Sequence, residues 1–316
     1  MKVLVTGGAG FIGSELVRQL YNLKYKVSVL DSLVTGKKEN IPPGVTFYHG
    51  DICNKEFVFN CFSQERPDII FHLAAQVSVP YSVRNTVTDS EVNIVGTLNI
   101  LDAAVKFRPK KIIFASSAAV YGTPEYLPVD ENHPVEPLAG YGVSKYGAEL
   151  YIRLYSKLYG LDYTILRYAN VYGPGQLPDS EAGVVAIFIN SLLTGITPTI
   201  FGDGEQTRDF VFVKDVAVGN ILAMEKGKNL TLNIGTGQST SIRELYFFIA
   251  RELGVEIEPK YEVRRKQDIL HSYLDISEAQ KYLKWMPIYN LQVGLKETIY
   301  FFRPAAIYRR EKVRII

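Results

Sequence analysis

The chain has 316 residues, 47% of them hydrophobic and 22% charged, enough for one large α/β domain with a sizeable core and a smaller one beside it. A formal charge of +2 leaves no electrostatic footprint for nucleic acid. There is no charged leader before an apolar segment and no apolar stretch of bilayer length, so a membrane partner is not expected and cytoplasmic residence is the default.

The chain opens on Lys2-Val3-Leu4-Val5-Thr6, a short apolar run of strand type. Gly7-Gly8-Ala9-Gly10-Phe11-Ile12-Gly13 follows, then Ser14 to Leu20 with apolar residues at helical spacing. Strand, glycine turn and helix in that order form the context a dinucleotide loop requires. Gly7 allows the tight turn, Gly10 lets the backbone approach a pyrophosphate, and Gly13 lets the helix pack closely on the strand. The helix start then offers unpaired N–H groups and a favourable dipole to the phosphates. The spacing is Gly-x-x-Gly-x-x-Gly rather than Gly-x-Gly-x-x-Gly.

The next strand, Lys26 to Leu30, ends at Asp31, near the expected position of the acid that holds the adenosine ribose hydroxyls. A carboxylate there would repel a 2′-phosphate, so NAD is expected over NADP. Val45 to Asp51 reads as a third strand, with Asp51 and Ile52 placed to contact adenine. Cys53 and Cys61 lack metal-ligand spacing and are expected to be reduced thiols. Asp68 to Ala75 reads as a fourth strand, ending in small residues where a backbone must pass close to a ligand. Val92 to Val105 reads as a helix, and Lys111 to Ser117 as a fifth strand. Such continuous apolar runs suit a parallel, doubly wound sheet covered on both faces. Ligands of such sheets bind beyond the carboxyl ends of the strands, where Asp31, Ala74 and Ser117 all lie.

Tyr141 and Lys145 are four residues apart on an expected helix, Tyr141 to Tyr159, and so share one face. A lysine ammonium there can lower the pKa of the phenol, because a nearby positive charge favours phenolate. So tuned, the tyrosine can take a proton from an alcohol or sugar hydroxyl while hydride leaves the same carbon. Leu150, Leu154 and Leu158 form one stripe of this helix, and Tyr151, Tyr155 and Tyr159 an adjacent one. Together with the 92–105 helix they are expected to make a homodimer surface.

Tyr163 to Arg167 reads as a sixth strand, and after Asn170 the regular alternation breaks. The expected layout is a Rossmann domain over 1–169 with a returning segment about 207–234. A smaller lobe over 170–206 and 235–316 would bind the substrate. His49, His72, His133 and His271 form no cluster, so no metal site is expected. The basic run Arg309 to Arg314 reads as a solvated tail.

Several segments together resemble the extended short-chain dehydrogenase/reductase family, and within it the nucleotide-sugar epimerases. They are the glycine loop, Asp31 to Gly36, His72 to Gln76, Ser116 to Gly122, Tyr141/Lys145, Arg167 to Pro174, Arg208 to Val211 and Asn233 to Gly237. The resemblance runs to about residue 285 and is closest to the members acting on UDP-glucose, with 4-epimerases of UDP-glucuronate or UDP-N-acetylglucosamine, or a non-catalytic NAD-binding module, as the alternatives. It implies tightly bound NAD that is regenerated in every cycle, with oxidation and re-reduction at sugar C4. It implies that Tyr141 is the proton acceptor, that Lys145 binds the nicotinamide ribose, and that Ser117 bonds the reacting oxygen. It places Gly7, Gly10, Phe11, Ile12, Gly13, Asp31, Ser32, Gly36, Asp51, Ile52, Leu73, Ala74, Ala75, Asn93 and Tyr168 around the cofactor. Asn170, Arg208, Arg265 and Asp268 would then hold the UDP-sugar.

Two departures sharpen the expectation. Dehydratases of this superfamily carry an Asp-Glu pair directly after the strand-end hydroxyl, and decarboxylating relatives keep a glutamate there. Ala118 and Ala119 stand at those positions and cannot move protons. Ser272 stands where some members place a bulky tyrosine, which leaves room for an N-acetylated sugar.

Overall fold

The structure, a computed structural model, describes residues 1–178, 183–264 and 268–313. Seven parallel strands form the central sheet, in the order β11-β6-β5-β4-β1-β2-β3. They are β1 (Lys2–Thr6), β2 (Lys26–Asp31), β3 (Thr46–His49), β4 (Ile69–His72), β5 (Lys111–Ser117), β6 (Asp162–Tyr168) and β11 (Leu230–Ile234). The chain leaves β1 toward β2 and β3 on one side, then returns to β4 on the other. That reversal opens a crevice at the carboxyl ends of β1 and β4.

Helices cover both faces, as the apolar runs require. One face buries Val3, Val5, Leu16, Val17, Leu20, Leu166 and Leu232, under α1 (Phe11–Asn22) and α8 (Val213–Leu222). The other buries Leu4, Leu30, Phe62, Ile100, Ile112, Ala148 and Ile165, under α2 (Lys55–Glu65), α5 (Gly96–Phe107) and α6 (Gly140–Tyr159). At about 1.5–3 kcal/mol for each fully buried aliphatic or Phe side chain, these two layers are the main source of stability. Two short helices, α3 (Val79–Arg84) and α4 (Thr86–Ser90), lie between β4 and α5 and pack on α6.

A smaller body gathers around α7 (Val184–Thr194), α9 (Ile242–Leu253) and α11 (Leu291–Val313), with Phe188, Phe210, Phe212, Tyr246, Ile249 and Leu295 inside. Ser241 and Glu244 form a capping box that starts α9, so two orphan donors of its first turn are satisfied. Three separate two-stranded pairings accompany this body: β7 (Asn170–Tyr172) with β10 (Phe210–Phe212), β8 (Thr199–Phe201) with β13 (Lys260–Glu262), and β9 (Thr207–Arg208) with β12 (Thr240–Ser241). A final short helix, α10 (Ser277–Leu283), packs against β11.

Three expected elements differ from what is observed. The third strand is shorter because Val45 N–H turns back to Pro42 O at 3.2 Å and Asp51 Oδ1 accepts from Cys53 N–H at 2.8 Å. The fourth strand stops at His72, after which the N–H groups of Leu73 and Ala74 go to Thr6 O and the Thr6 hydroxyl. The helix expected over 92–105 begins at Thr86 and contains a π-type turn at Glu91–Val95 before it resumes as α5. A π turn inserts one residue, which shifts the helical phase that a simple 3.6 period assumes.

Candidate active site

The glycine loop is held open for a ligand by contacts that a Cβ would destroy. A Cβ on Gly7, whose φ is +71°, would lie 2.6 Å from Ala74 N, and one on Gly13 would lie 2.1 Å from Gly7 O. At Gly10 it would meet nothing nearer than Gly7 O at 3.4 Å, so that side of the loop is free for an incoming group. Gly10 caps α1 with no side-chain hydrogen bond. The first-turn N–H groups at Phe11, Ile12 and Gly13 have no helical acceptor and suit a pyrophosphate.

Asp31 is buried at the end of β2, where Oδ2 accepts from Ala9 N–H at 2.9 Å and Oδ1 from Leu33 N–H at 2.8 Å. Each oxygen keeps a lone pair for a ribose hydroxyl. A Cβ on Gly36 would crowd both Ala9 and this carboxylate. Asn99 Nδ2 donates to Ile52 O and Cys53 O, at 2.9 and 3.1 Å, and so fixes the turn that follows Asp51. Ser32, Leu73, Ala74 and Ala75 are partly buried beyond the strand ends. This set of residues fits a dinucleotide laid across the crevice.

Tyr141 lies in the first turn of α6, and Ser117 ends β5. The Ser117 hydroxyl accepts from Ala119 N–H at 3.1 Å and lies near enough to the Tyr141 phenol to act on its titration. Lys145 is buried one turn along α6, where its Nζ donates to Ala115 O at 2.8 Å and lies 4.8 Å from the centre of the Phe114 ring. Burial lowers the Lys145 ammonium to about 8, with Asp89 and Glu149 acting to raise it. Burial pushes the Tyr141 phenol up to about 12; the Ser117 hydrogen bond acts to lower it, and the charge of Asp89 adds to the rise. The lowering expected from the Lys145 ammonium is outweighed by burial in the protein by itself. The desolvation cost also outweighs the Ser117 stabilisation of phenolate, and the Lys145 ammonium is hydrogen-bonded to the Ala115 carbonyl.

Behind the pair stands a clamp absent from the sequence reading. Glu149, the next residue on the same stripe of α6, is fully buried and accepts from Ser116 Oγ at 2.6 Å, Arg167 Nε at 2.9 Å, Arg167 Nη2 at 2.7 Å and Arg153 Nη2 at 3.0 Å. It ties α6 to β5 beside Ser117 and to β6. Its spacing of four from Lys145 was a usable signal. Its partners were not, since they come from other strands.

Asn93 has its amide fully engaged within the protein: Oδ1 accepts from Gln76 N–H at 2.9 Å, and Nδ2 donates to Gln76 O, Asp89 Oδ1 and Ser144 Oγ. It joins the β4 loop to α6. Tyr168, at the end of β6, is buried and donates to Asn220 Oδ1 at 2.9 Å.

Arg208 is presented by β9. Its neighbour Asp209 is buried and accepts from Thr236 N–H and its hydroxyl, Gly237 N–H and Leu274 N–H. Arg208 and Asp268 form an ion pair at 3.9 Å, with side chains 19% and 28% exposed, so both remain open to a ligand. Burial lowers the Arg208 guanidinium from its usual range, and Asp268 opposes this. Asn170 is exposed at the start of β7. Arg265 lies outside the described residues. Ala118 and Ala119 begin a 3₁₀ turn directly after Ser117 and carry no proton-transfer group to the phenol.

The fold and this site belong to one class: the chain is a member of the NAD dependent epimerase/dehydratase family, whose sequence model matches residues 3–235. It is 42% identical over 310 residues to the UDP-glucose 4-epimerase of Mycolicibacterium smegmatis, covering 96% of this chain and 99% of that one. Among solved structures it resembles the Thermotoga maritima UDP-glucose 4-epimerase determined with UDP-glucose, at 45% identity and a TM-score of 0.95, covering 96% of this chain and 99% of that one. It also resembles the UDP-N-acetylglucosamine 4-epimerase of Methanobrevibacter ruminantium in complex with UDP-N-acetylmuramic acid, at 38% identity and a TM-score of 0.92, covering 96% and 98%.

Proposed function

We propose that this protein is an NAD-dependent UDP-sugar 4-epimerase that interconverts UDP-glucose and UDP-galactose. The single observation that carries the reading is the placement of Ser117, Tyr141 and Lys145 at the carboxyl end of β5, two strands along the sheet from β1 and its glycine loop. NAD, when bound, would supply the hydride-transfer chemistry at sugar C4. The chain's own residues do the rest. The start of α1 and Asp31 hold the dinucleotide, assisted by Phe11, Ile12, Ser32, Gly36, Asp51, Ile52 and Leu73 to Ala75. Asn93 serves by fixing the β4 loop, and Tyr168 lines the nicotinamide end.

Tyr141 takes the proton from the 4-hydroxyl and gives it back after the sugar has turned. Ser117 holds the reacting oxygen and the phenol in one hydrogen-bonded set. A phenol at about 12 is a poor base at neutral pH, so two positive charges are needed next to it: the Lys145 ammonium and the oxidised cofactor ring. Lys145, together with the cofactor when bound, would hold Tyr141 as the phenolate that accepts the proton. Asn170, Arg208 and Asp268 hold the diphosphate and ribose, with Arg265 as a further anchor. Ala118 and Ala119 supply no acid or base for elimination, which favours epimerisation over dehydration or decarboxylation.

Acceptance of an N-acetylated sugar is the second reading, supported by Ser272 and by the likeness to the UDP-N-acetylglucosamine epimerase. We assign residues 1–169 and 207–234 to the nucleotide side, and 170–206 and 235–316 to the sugar side. A cytoplasmic location goes with this soluble-metabolite chemistry. A homodimer through the 92–105 and 141–159 segments is supported by the exposure of Val95, Leu150, Tyr151, Leu154 and Leu158. Leu154→Asp should weaken it more than tenfold by sedimentation; an unchanged association constant would reject that face.

The direct test is incubation of pure protein with UDP-galactose and no added NAD, followed by sugar analysis. UDP-glucose should form to equilibrium without net change in nicotinamide absorbance. Stoichiometric reduction of the nicotinamide would instead mark a dehydrogenase.

A further inference from the structure

Asp89, on α4, is fully buried and is used by no step above. Its Oδ1 accepts from Gln76 Nε2 at 2.6 Å and from Asn93 Nδ2 at 3.3 Å, while Oδ2 has no hydrogen-bond partner. Asn93 Nδ2 in turn donates to Ser144 Oγ at 3.0 Å, and Ser144 Oγ donates to Tyr141 O at 3.1 Å. One short relay of polar contacts therefore runs from Asp89 to the turn of α6 that carries both Tyr141 and Lys145.

The charges around that turn are unequal. On α6 itself Glu149 is matched by Arg167 and Arg153. From β4, His72 faces Lys145; burial lowers its imidazole to about 3, so it is uncharged. From β5 come the Ala115 carbonyl, the Phe114 ring and the Ser117 hydroxyl, and from β6 the Tyr168 phenol. Among the described residues no cation is ion-paired with Asp89. A buried carboxylate without its own cation acts on its neighbours through a poorly screening interior.

We propose that Asp89 is a positioning residue for the reaction: it is the counter-charge of Lys145, and it fixes the turn of α6 that sets the ammonium and the phenol against the cofactor. The two effects on the pair have opposite value. The Asp89 charge keeps Lys145 protonated against the pull of burial, and the same charge resists phenolate at Tyr141. An enzyme that needs phenolate and ammonium together gains its working pH window from this balance. Turnover rises with pH as the phenol loses its proton and falls again as the ammonium loses its own.

The proposal rests on the roles given to Tyr141 and Lys145, and Asp89→Asn tests it. The amide keeps an oxygen for Gln76 and Asn93 and removes the charge. Both limbs of the pH profile of kcat/KM should move to lower pH by about one unit, the low end of what a neighbouring charge does to a buried group. Calorimetry of NAD binding to protein freed of nucleotide reads Lys145 without any sugar. Affinity should fall as pH rises through the lysine midpoint, and that midpoint should drop by a similar step in Asp89→Asn.

Failure of the wild type to epimerise UDP-galactose would defeat the functional reading, while the calorimetric midpoint would still judge the role of Asp89. Ser144→Ala breaks the polar relay and leaves the charge, so it should lower kcat with both limbs in place. Asp89→Ser carries the same prediction as Asp89→Asn should the amide not fold. Limbs and midpoint unmoved in a folded, uncharged variant would overturn the proposal.

Discussion

The two sides of the crevice are built differently. On the proposed nucleotide side the parts are locked by backbone and burial: Gly13 sits where a Cβ would lie 2.1 Å from Gly7 O, Asp31 is held by two backbone N–H groups, and Lys145 is pinned to Ala115 O. On the proposed sugar side Arg208 and Asp268 meet at 3.9 Å with 19% and 28% of their side chains exposed, and Asn170 is open to solvent. A cofactor that stays bound through many cycles needs a preformed seat, because each ordered contact then costs little at binding. A sugar that must present both faces of one carbon needs anchors on its nucleotide and freedom at its ring. The contrast between rigid and open halves is what the proposed chemistry requires.

The sharpest way to break the rigid half is at the clamp behind it. Glu149→Ala leaves Arg167 buried without its carboxylate, and should cost about 3–5 kcal/mol of stability in chemical denaturation. A loss under about 1 kcal/mol would show that the clamp is not holding α6 to β5 and β6. Gly13→Ala should act on the seat itself. Relieving the overlap with Gly7 O moves the loop, at about 1–3 kcal/mol, so NAD affinity should drop about tenfold to a hundredfold. Wild-type affinity in that variant would mean the loop does not carry the cofactor.

The open half should respond more gently and in a different parameter. Arg208→Lys keeps the charge but loses the planar fork, so KM for UDP-galactose should rise about tenfold with kcat nearly unchanged. An equal fall in kcat would place Arg208 in the chemistry rather than in the anchor, and would blur the division between the two halves.

Much of this was readable in the chain, for definable reasons. The strand, glycine turn and helix at the N-terminus are local, so Lys2 to Gly13 announced their geometry. Tyr141 and Lys145 are one helical turn apart, so their shared face followed from spacing. The fold class followed from apolar runs of strand length. What escaped was non-local or energetic. Glu149 finds Ser116 and Arg167 only when three elements meet, and Asp89 reaches α6 only through Gln76 and Asn93. The π turn at Glu91–Val95, which holds the hydrogen-bonded Asn93, is a local shift of phase that no period reveals. The rise of the Tyr141 phenol comes from desolvation, a property of the packed site and not of a residue pair. Arg208, Asp268 and Asn170 came from family resemblance rather than from their own surroundings.

The central claim is that the Tyr141 oxygen takes and returns the sugar proton. Tyr141→Phe removes that oxygen and little else, so conversion of UDP-galactose to UDP-glucose should fall by about 10²–10⁴, while bound NAD and affinity for UDP stay at wild-type levels. Turnover within a few fold of wild type would contradict the account, and another group would have to be the base.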